Sequence, residues 1–246
     1  MEARMRRLAI SAFLVLSCVF MRFVGWNPFQ SAQALIREFT FTASADLPTE
    51  YVRIIGPAHI EVELEPGSIE YAPLDALDRA GEARACVTWD MAERGRARER
   101  EDMQNLEPSG WGHNGKAHIM LEDGSFYNGY FWNRSHLVAK SLGGDDIIEN
   151  LICGTRMQNV GSNKGEGHVG GMAYCETKTR NWLDEHQDGF VYYVARPVYE
   201  GSELVCRSVV VNMRSSDGEL DEEVEVCNAA RGYRINYATG EFVAEE

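Results

Sequence analysis

Hydrophobic and polar positions change period several times along this chain. Leu8 to Val19 is apolar apart from two serines. Tyr51 to Leu64 reads as a strand broken at Gly56-Pro57. Ala92 to Asp102 is dense in charge, the pattern of a solvated helix face or loop. Ser125 to Trp132 reads as an aromatic strand running into Asn133-Arg134-Ser135-His136, with a Gly143-Gly144 break soon after. Met172, Cys175, Thr179, Trp182 and Leu183 recur at helical spacing, which predicts a helix over 172–186 with one buried stripe. Beyond it, Val191 to Tyr199, Leu204 to Met213 and Glu223 to Cys227 are β-branched and aromatic runs separated by turn residues, an antiparallel meander. No internal repeat interrupts this order.

The start of the chain has its own signature. Arg4, Arg6 and Arg7 precede the apolar run, and Ala32-Gln33-Ala34 is a small-residue cleavage site, so residues 1–34 read as an export signal. The alternative is an uncleaved N-terminal anchor, because Arg22 interrupts an apolar stretch that resumes to Trp26. Val15-Leu16-Ser17 is a poor lipidation context for Cys18. Residues 35–246 then form one domain, long enough for a sizeable core. The expected location is secreted or extracellular, with attachment to the cell surface only through residues 1–34. No later segment reaches the roughly 20 apolar residues of a membrane helix.

The formal net charge is −14, and taking away four Arg and one Glu with residues 1–34 leaves −17. Such acidity disfavours long-range attraction to a polyanion, unless a local patch such as Arg94, Arg96, Arg98 and Arg100 provides it. Residues 35–246 hold five cysteines, an odd number, so at least one is unpaired or bonds between chains. Cys206 and Cys227 lie in consecutive strand-like runs and are a candidate pair across a hairpin. There is no Cys-x-x-Cys, which argues against a zinc or redox motif.

The chemistry concentrates around His136. Asn150 and Asn159 follow it in Glu149 to Gly161, and Glu176 and Arg180 stand four apart on the predicted helix, where a plain i,i+4 ion pair is the bland reading. This order resembles the DNA/RNA non-specific endonucleases of the ββα-metal superfamily, especially the secreted bacterial DNases. Their Asp-Arg-Gly-His motif, with Asn-Arg-x-His as a variant, corresponds to Asn133-Arg134-Ser135-His136. Leu74-Asp75-Ala76-Leu77-Asp78-Arg79, Pro108-Ser109-Gly110-Trp111 and Ile235-Asn236-Tyr237-Ala238-Thr239-Gly240 resemble further family segments, so the resemblance spans roughly residues 43–242. Asp78 stands where the family has Gly. The resemblance implies an α+β fold, a ββα-metal core with a mostly antiparallel central sheet flanked by helices.

The resemblance also implies a secreted, sequence-non-specific endonuclease that hydrolyses phosphodiester bonds of DNA, with RNA as a second substrate. Neutral His136 would be the general base that activates water. Asn159 would be the protein ligand of a Mg²⁺ ion, with Mn²⁺ as substitute, since Mg²⁺ takes oxygen donors and keeps several waters. Glu176 would stand beside the metal's waters, Arg180 toward the phosphate, and Arg134 on phosphate or on the adjoining loop. Arg100 corresponds to an arginine assigned to the transition state. Asn150 and Asn133 would support these groups, Asn150 by tethering backbone. Asn133-Arg134-Ser135 is also a glycosylation sequon by pattern, read as coincidence within the motif. No protein partner is implied. Two other classes compete: a catalytically silent surface or binding protein that retains the fold, and a toxin, for which no delivery domain has room.

Overall fold

The computed structural model describes residues 41–42, 47–99, 102–162 and 169–245. Residues 1–34 and Arg100 lie outside them.

The largest sheet has six strands. They are β1 (Val52–Gly56), β2 (Ile69–Tyr71), β3 (Ala83–Thr88), β8 (Phe190–Val198), β9 (Ser208–Ser215) and β10 (Asp221–Cys227), in the spatial order β1-β10-β9-β8-β3-β2. Every neighbouring pair is antiparallel. The three C-terminal strands are the meander expected from their β-branched runs. Between β3 and β8 the chain makes two hairpins, β4 (Lys116–Met120) with β5 (Phe126–Tyr130), and β6 (Trp132–His136) with β7 (Leu151–Thr155). A last hairpin, β11 (Tyr233–Asn236) with β12 (Glu241–Ala244), closes the fold. The fold class is α+β.

Among the described residues three α-helices complete it: α1 (Trp89–Ala97), α2 (Arg156–Val160) and α3 (Met172–Glu185). On α3 the residues Met172, Cys175, Thr179 and Leu183 of the expected stripe are buried, while Trp182 is half-buried against the same core. Met91 and Ala92 of α1 join Met172, Cys175 and Leu183 over Val87, Val191, Tyr193 and Val211 of the large sheet, forming the first core. A second core gathers Ile119, Phe131, Trp132, Met157, Ile235 and Tyr237 between the hairpins. Each large aliphatic side chain buried this way contributes about 1.5–3 kcal/mol.

Three local expectations need correction. The strand read over Tyr51 to Leu64 stops at Gly56, because Pro57 has no N–H for a ladder and the amides of Ala58 and His59 bond instead to the Asp221 and Asn212 side chains at 2.8 and 2.6 Å. The strand read into the histidine is two strands that change ladders at Phe131: its N–H donates to Gly115 O at 2.8 Å at the end of the β4–β5 ladder, and its C=O accepts from Arg156 N at 2.8 Å at the start of the β6–β7 ladder. Cys206 and Cys227 do not pair. The register sets Ser208 opposite Cys227, leaving Cys206 two residues beyond the ladder, where Asn228 Nδ2 contacts its sulfur at 3.7 Å. Burial pushes the Cys206 thiol up to about 12 and the Cys227 thiol to about 11. Asp78 adopts φ 56°, a glycine-favouring conformation, within a turn that the Asp75 carboxylate ties to the Leu77 and Arg79 amides at 2.8 and 3.1 Å. Among the described residues no helix is long and apolar enough to cross a membrane.

Candidate active site

β6 and β7 run antiparallel, with Asn133 opposite Gly154 and His136 opposite Leu151. α2 begins as β7 ends, and its capping residue Thr155 accepts from Gln158 N at 2.9 Å. Gly154 is required at the closest approach: a Cβ there would lie 2.2 Å from Gln158 Oε1 and 2.7 Å from Ser135 Cβ. The product is a strand–strand–helix unit with His136 at the end of β6 and Asn159 on α2. Trp132 and Cys153 of this unit face the second core, while Leu137 and Ile152 face the first. Close packing on both sides holds the unit as a rigid platform.

The Asn159 amide is oriented by its neighbours. Its Nδ2 donates to Asn133 Oδ1 at 3.3 Å, and its Oδ1 accepts from Ser135 Oγ at 3.2 Å. That fixes the amide's direction and leaves Oδ1 a second lone pair, a hard donor of the kind Mg²⁺ takes. Both departures from Asp-Arg-Gly-His, at 133 and 135, therefore touch the candidate ligand.

His136 Nε2 lies 2.7 Å from Asp146 Oδ1, with the two side chains 16% and 4% exposed. Asp146 arrives through the loop after β6. Gly143 turns it at φ 94°, and Gly144 passes so close that a Cβ would meet Val138 O at 1.9 Å. Asn150 clips the loop shut: its Nδ2 donates to Val138 O at 2.9 Å and Asp145 O at 2.8 Å, and its Oδ1 accepts from Val138 N at 2.9 Å. Asn150 is fully buried and tethers backbone, outside the cleft lining. Arg98 braces the same carboxylate, with Nη2 2.6 Å from Gly144 O and 3.7 Å from Asp146 Oδ2.

A cleft of about 990 Å³ runs past these groups and is lined by Asn133, Arg134, His136, Asp146, Asn159 and Glu176. Burial pushes the Glu176 carboxyl up to about 7, with Arg180, 3.8 Å away, pulling it back down. Arg180 does not line the cleft; it donates to Ser141 Oγ at 2.7 Å and Thr177 Oγ1 at 3.0 Å. Arg134 is spent on the loop before β4, donating to Gln104 O at 2.9 Å and to Leu106 O, with its guanidinium 4.1 Å over the Trp111 ring. These bonds orient the loop, and Arg134 also lines the cleft. Two arginines of the run are engaged: Arg96 pairs with Asp184 at 2.9 Å and with Glu93, while Arg98 braces Asp146; Arg94 is exposed, and Arg100 lies outside the described residues.

A model of the DNA/RNA non-specific endonuclease family matches residues 79–239. The chain belongs to this family. A deoxyribonuclease of Streptococcus dysgalactiae subsp. equisimilis is 35% identical over 217 residues, which cover 77% of this chain; the chain spans 65% of that relative's length. The solved Sda1 nuclease with a bound zinc ion matches at a TM-score of 0.74 and 33% identity, over 80% of this chain and 97% of its own. NucA of Streptococcus agalactiae with a bound magnesium ion matches at 0.62 and 21% identity, over 82% and 92%, a likeness of fold alone.

Within this endonuclease-family chain, sequence reasoning missed Asp146 and Arg98. The signal for Asp146 was the Gly143-Gly144 break, which turns the chain back toward His136. Arg98 was hidden among four alternating arginines. The donor set of the cleft fits a hard cation: Asn159 offers a carbonyl oxygen, and Glu176 a largely buried carboxyl with Arg180 3.8 Å away. Among the described residues, three His, Cys, Asp or Glu ligand atoms come together only at His186, Asp217 and Glu219, away from the cleft lining.

Proposed function

We propose that this protein is a metal-dependent, sequence-non-specific endonuclease that hydrolyses phosphodiester bonds of DNA and, secondarily, RNA. The observation that carries the reading is the joint placement, on one strand–strand–helix unit in one cleft, of a carboxylate-paired histidine and an oriented asparagine carbonyl. An ionised carboxylate only accepts, so Asp146 takes the Nε2–H of the His136 ring and sets its orientation. The imidazole takes a proton from the attacking water, and the imidazolium formed is paired with Asp146. Asn159 and Glu176 are the residues that would hold the cation, with Asn133 and Ser135 keeping the amide in place. A bound divalent ion supplies charge stabilisation to the scissile phosphate and the leaving 3′-oxygen. Lack of sequence preference follows when contacts reach phosphate and sugar rather than base edges.

We read residues 1–34 as the export signal that would take the enzyme out of the cell. Relatives support the metal reading only in kind: one was solved with zinc and another with magnesium. The test is to incubate the purified protein with supercoiled plasmid, and separately with RNA, in Mg²⁺, Mn²⁺ or EDTA. Nicking in the metals and none in EDTA is the expected result. A folded protein that cuts neither substrate in any metal would move the reading to a silent binding protein.

A further inference from the structure

The β4–β5 hairpin turns one face to the second core and the other to water. Inward, Ala117 and Ile119 are buried, and the His118 amide is held by the Tyr233 hydroxyl at 2.8 Å. Outward stand Lys116, His118 and Met120 of β4 with Phe126, Asn128 and Tyr130 of β5. The register sets Lys116 opposite Tyr130, His118 opposite Asn128, and Met120 opposite Phe126. Met120, Phe126 and Tyr130 are 50%, 49% and 58% exposed. Three large apolar side chains grouped on a sheet face in water mark an interaction surface.

The rings are ordered there. His118 and Phe126 stack at 4.1 Å between centroids with 10° between planes, and Asn128 Oδ1 holds His118 Nδ1. A ring column is thus fixed upright on the ribbon, with flat faces for another ring to continue. Tyr130, at the other end of the same face, lines the active-site cleft, so platform and cleft are continuous.

Charge points the same way. The chain carries −14, and among the described residues lining the cleft Arg96 pairs with Asp184, while Arg134 and Lys140 keep their charge but direct N–H groups at backbone carbonyls, Lys140 at Gly95 O at 3.0 Å. Attraction to the phosphate backbone is therefore weak, and another source of affinity is needed. Base stacking on aromatic rings does not depend on net charge and accepts every base. Lys116, opposite Tyr130, is exposed and forms no ion pair among the described residues, so it can meet a phosphate between stacked bases.

We propose that this hairpin face is a stacking platform for unpaired nucleotides, so that single-stranded nucleic acid enters or leaves the cleft across Phe126, His118 and Tyr130. The inference rests on the nuclease reading and names the form of substrate that site prefers. Bases in a duplex have their faces covered by their neighbours and offer the platform nothing.

The experiment measures fluorescence anisotropy of labelled oligothymidylate, and of a duplex of the same length, with the full-length protein in EDTA. Phe126→Ala should weaken single-strand binding by about 5- to 100-fold and barely change duplex binding. Phe126→Trp should bind single strands like the parent, which separates lost stacking from lost folding. Equal losses on both ligands, or no loss on oligothymidylate, overturns the proposal. So does a concentration-dependent dimer in analytical ultracentrifugation that Phe126→Ala dissolves, since a second copy of the chain then covers the face. Plasmid nicking in Mg²⁺ is scored in parallel. Nicking with unchanged oligothymidylate binding in Phe126→Ala removes the platform and leaves the nuclease standing. A parent protein that neither binds nor nicks removes both.

Discussion

His136 and Asp146 form a side-chain pair at 2.7 Å between the end of β6 and the loop that follows it. Asp146 is almost fully covered, and Arg98 and the Asn150 clip hold its loop in place. An imidazole held this way has one nitrogen committed to the carboxylate, which sets the ring's orientation. Removing the carboxylate's charge while keeping its shape should leave substrate binding alone and misdirect the base. Asp146→Asn is expected to lower kcat by about 10- to 1000-fold, less than the roughly 10²- to 10⁴-fold of losing the base itself, with KM changed little. Steady-state cleavage kinetics check this. A change confined to KM would make Asp146 a substrate-binding residue.

The two substitutions in the histidine motif act on Asn159. Ser135→Gly removes the hydroxyl that Asn159 Oδ1 accepts from, a loss of about 1 kcal/mol of orientation, so the Mg²⁺ needed for half-maximal rate should rise about fivefold with the plateau rate kept. Asn159→Ala should raise it much further. A metal titration of the initial rate reads both. Identical curves for Asn159→Ala and the parent would place the cation elsewhere.

Glu176 makes the metal-free protein sensitive to pH. Its carboxyl sits at about 7 in the folded chain against an ordinary 4.5. Below about 4.5 both states hold the proton and nothing is lost. As pH rises to about 7 the unfolded chain ionises first, so stability falls, and above that the loss is complete. Its size is on the order of 3 kcal/mol at most, less because 18% of the side chain still faces the cleft. Glu176→Gln should therefore melt above the parent at pH 8 in EDTA and alongside it at pH 4. A variant that melts lower than the parent at pH 8 would mean that the carboxylate is stabilised in place.

Gly154 sets how closely β7 can approach β6 and α2. Gly154→Ala pushes a methyl into the Gln158 side chain and Ser135 Cβ, and should cost about 1–3 kcal/mol of stability, read by thermal or urea unfolding. An unchanged midpoint would show that the two strands separate freely.

Much of this was legible in the sequence because period and burial coincide. The α3 stripe and the C-terminal meander bury one face each, so spacing alone located them. Asn159 and Glu176 could be named because the motif order survives, and both line the cleft with His136. What escaped depends on chain reversals. Phe131 looks like any strand aromatic, yet its N–H closes one ladder on Gly115 while its C=O opens the next with Arg156, and the run splits in two. Asp146 is ten residues from His136 in sequence and meets it only because two glycines reverse the loop. Arginines spaced two apart read as a basic patch, whereas the fold spends Arg96 and Arg98 on carboxylates. Cys206 and Cys227 sit in neighbouring strand-like runs, but a two-residue offset in register keeps them apart.

The most direct test is single-turnover cleavage of end-labelled DNA at saturating Mg²⁺ by the parent protein and by His136→Ala, with circular dichroism showing both folded. If His136 is the base, the variant's rate falls by about 10²- to 10⁴-fold. A variant that cleaves within about twofold of the parent would contradict the account, because general-base catalysis by this residue could not then carry the reaction.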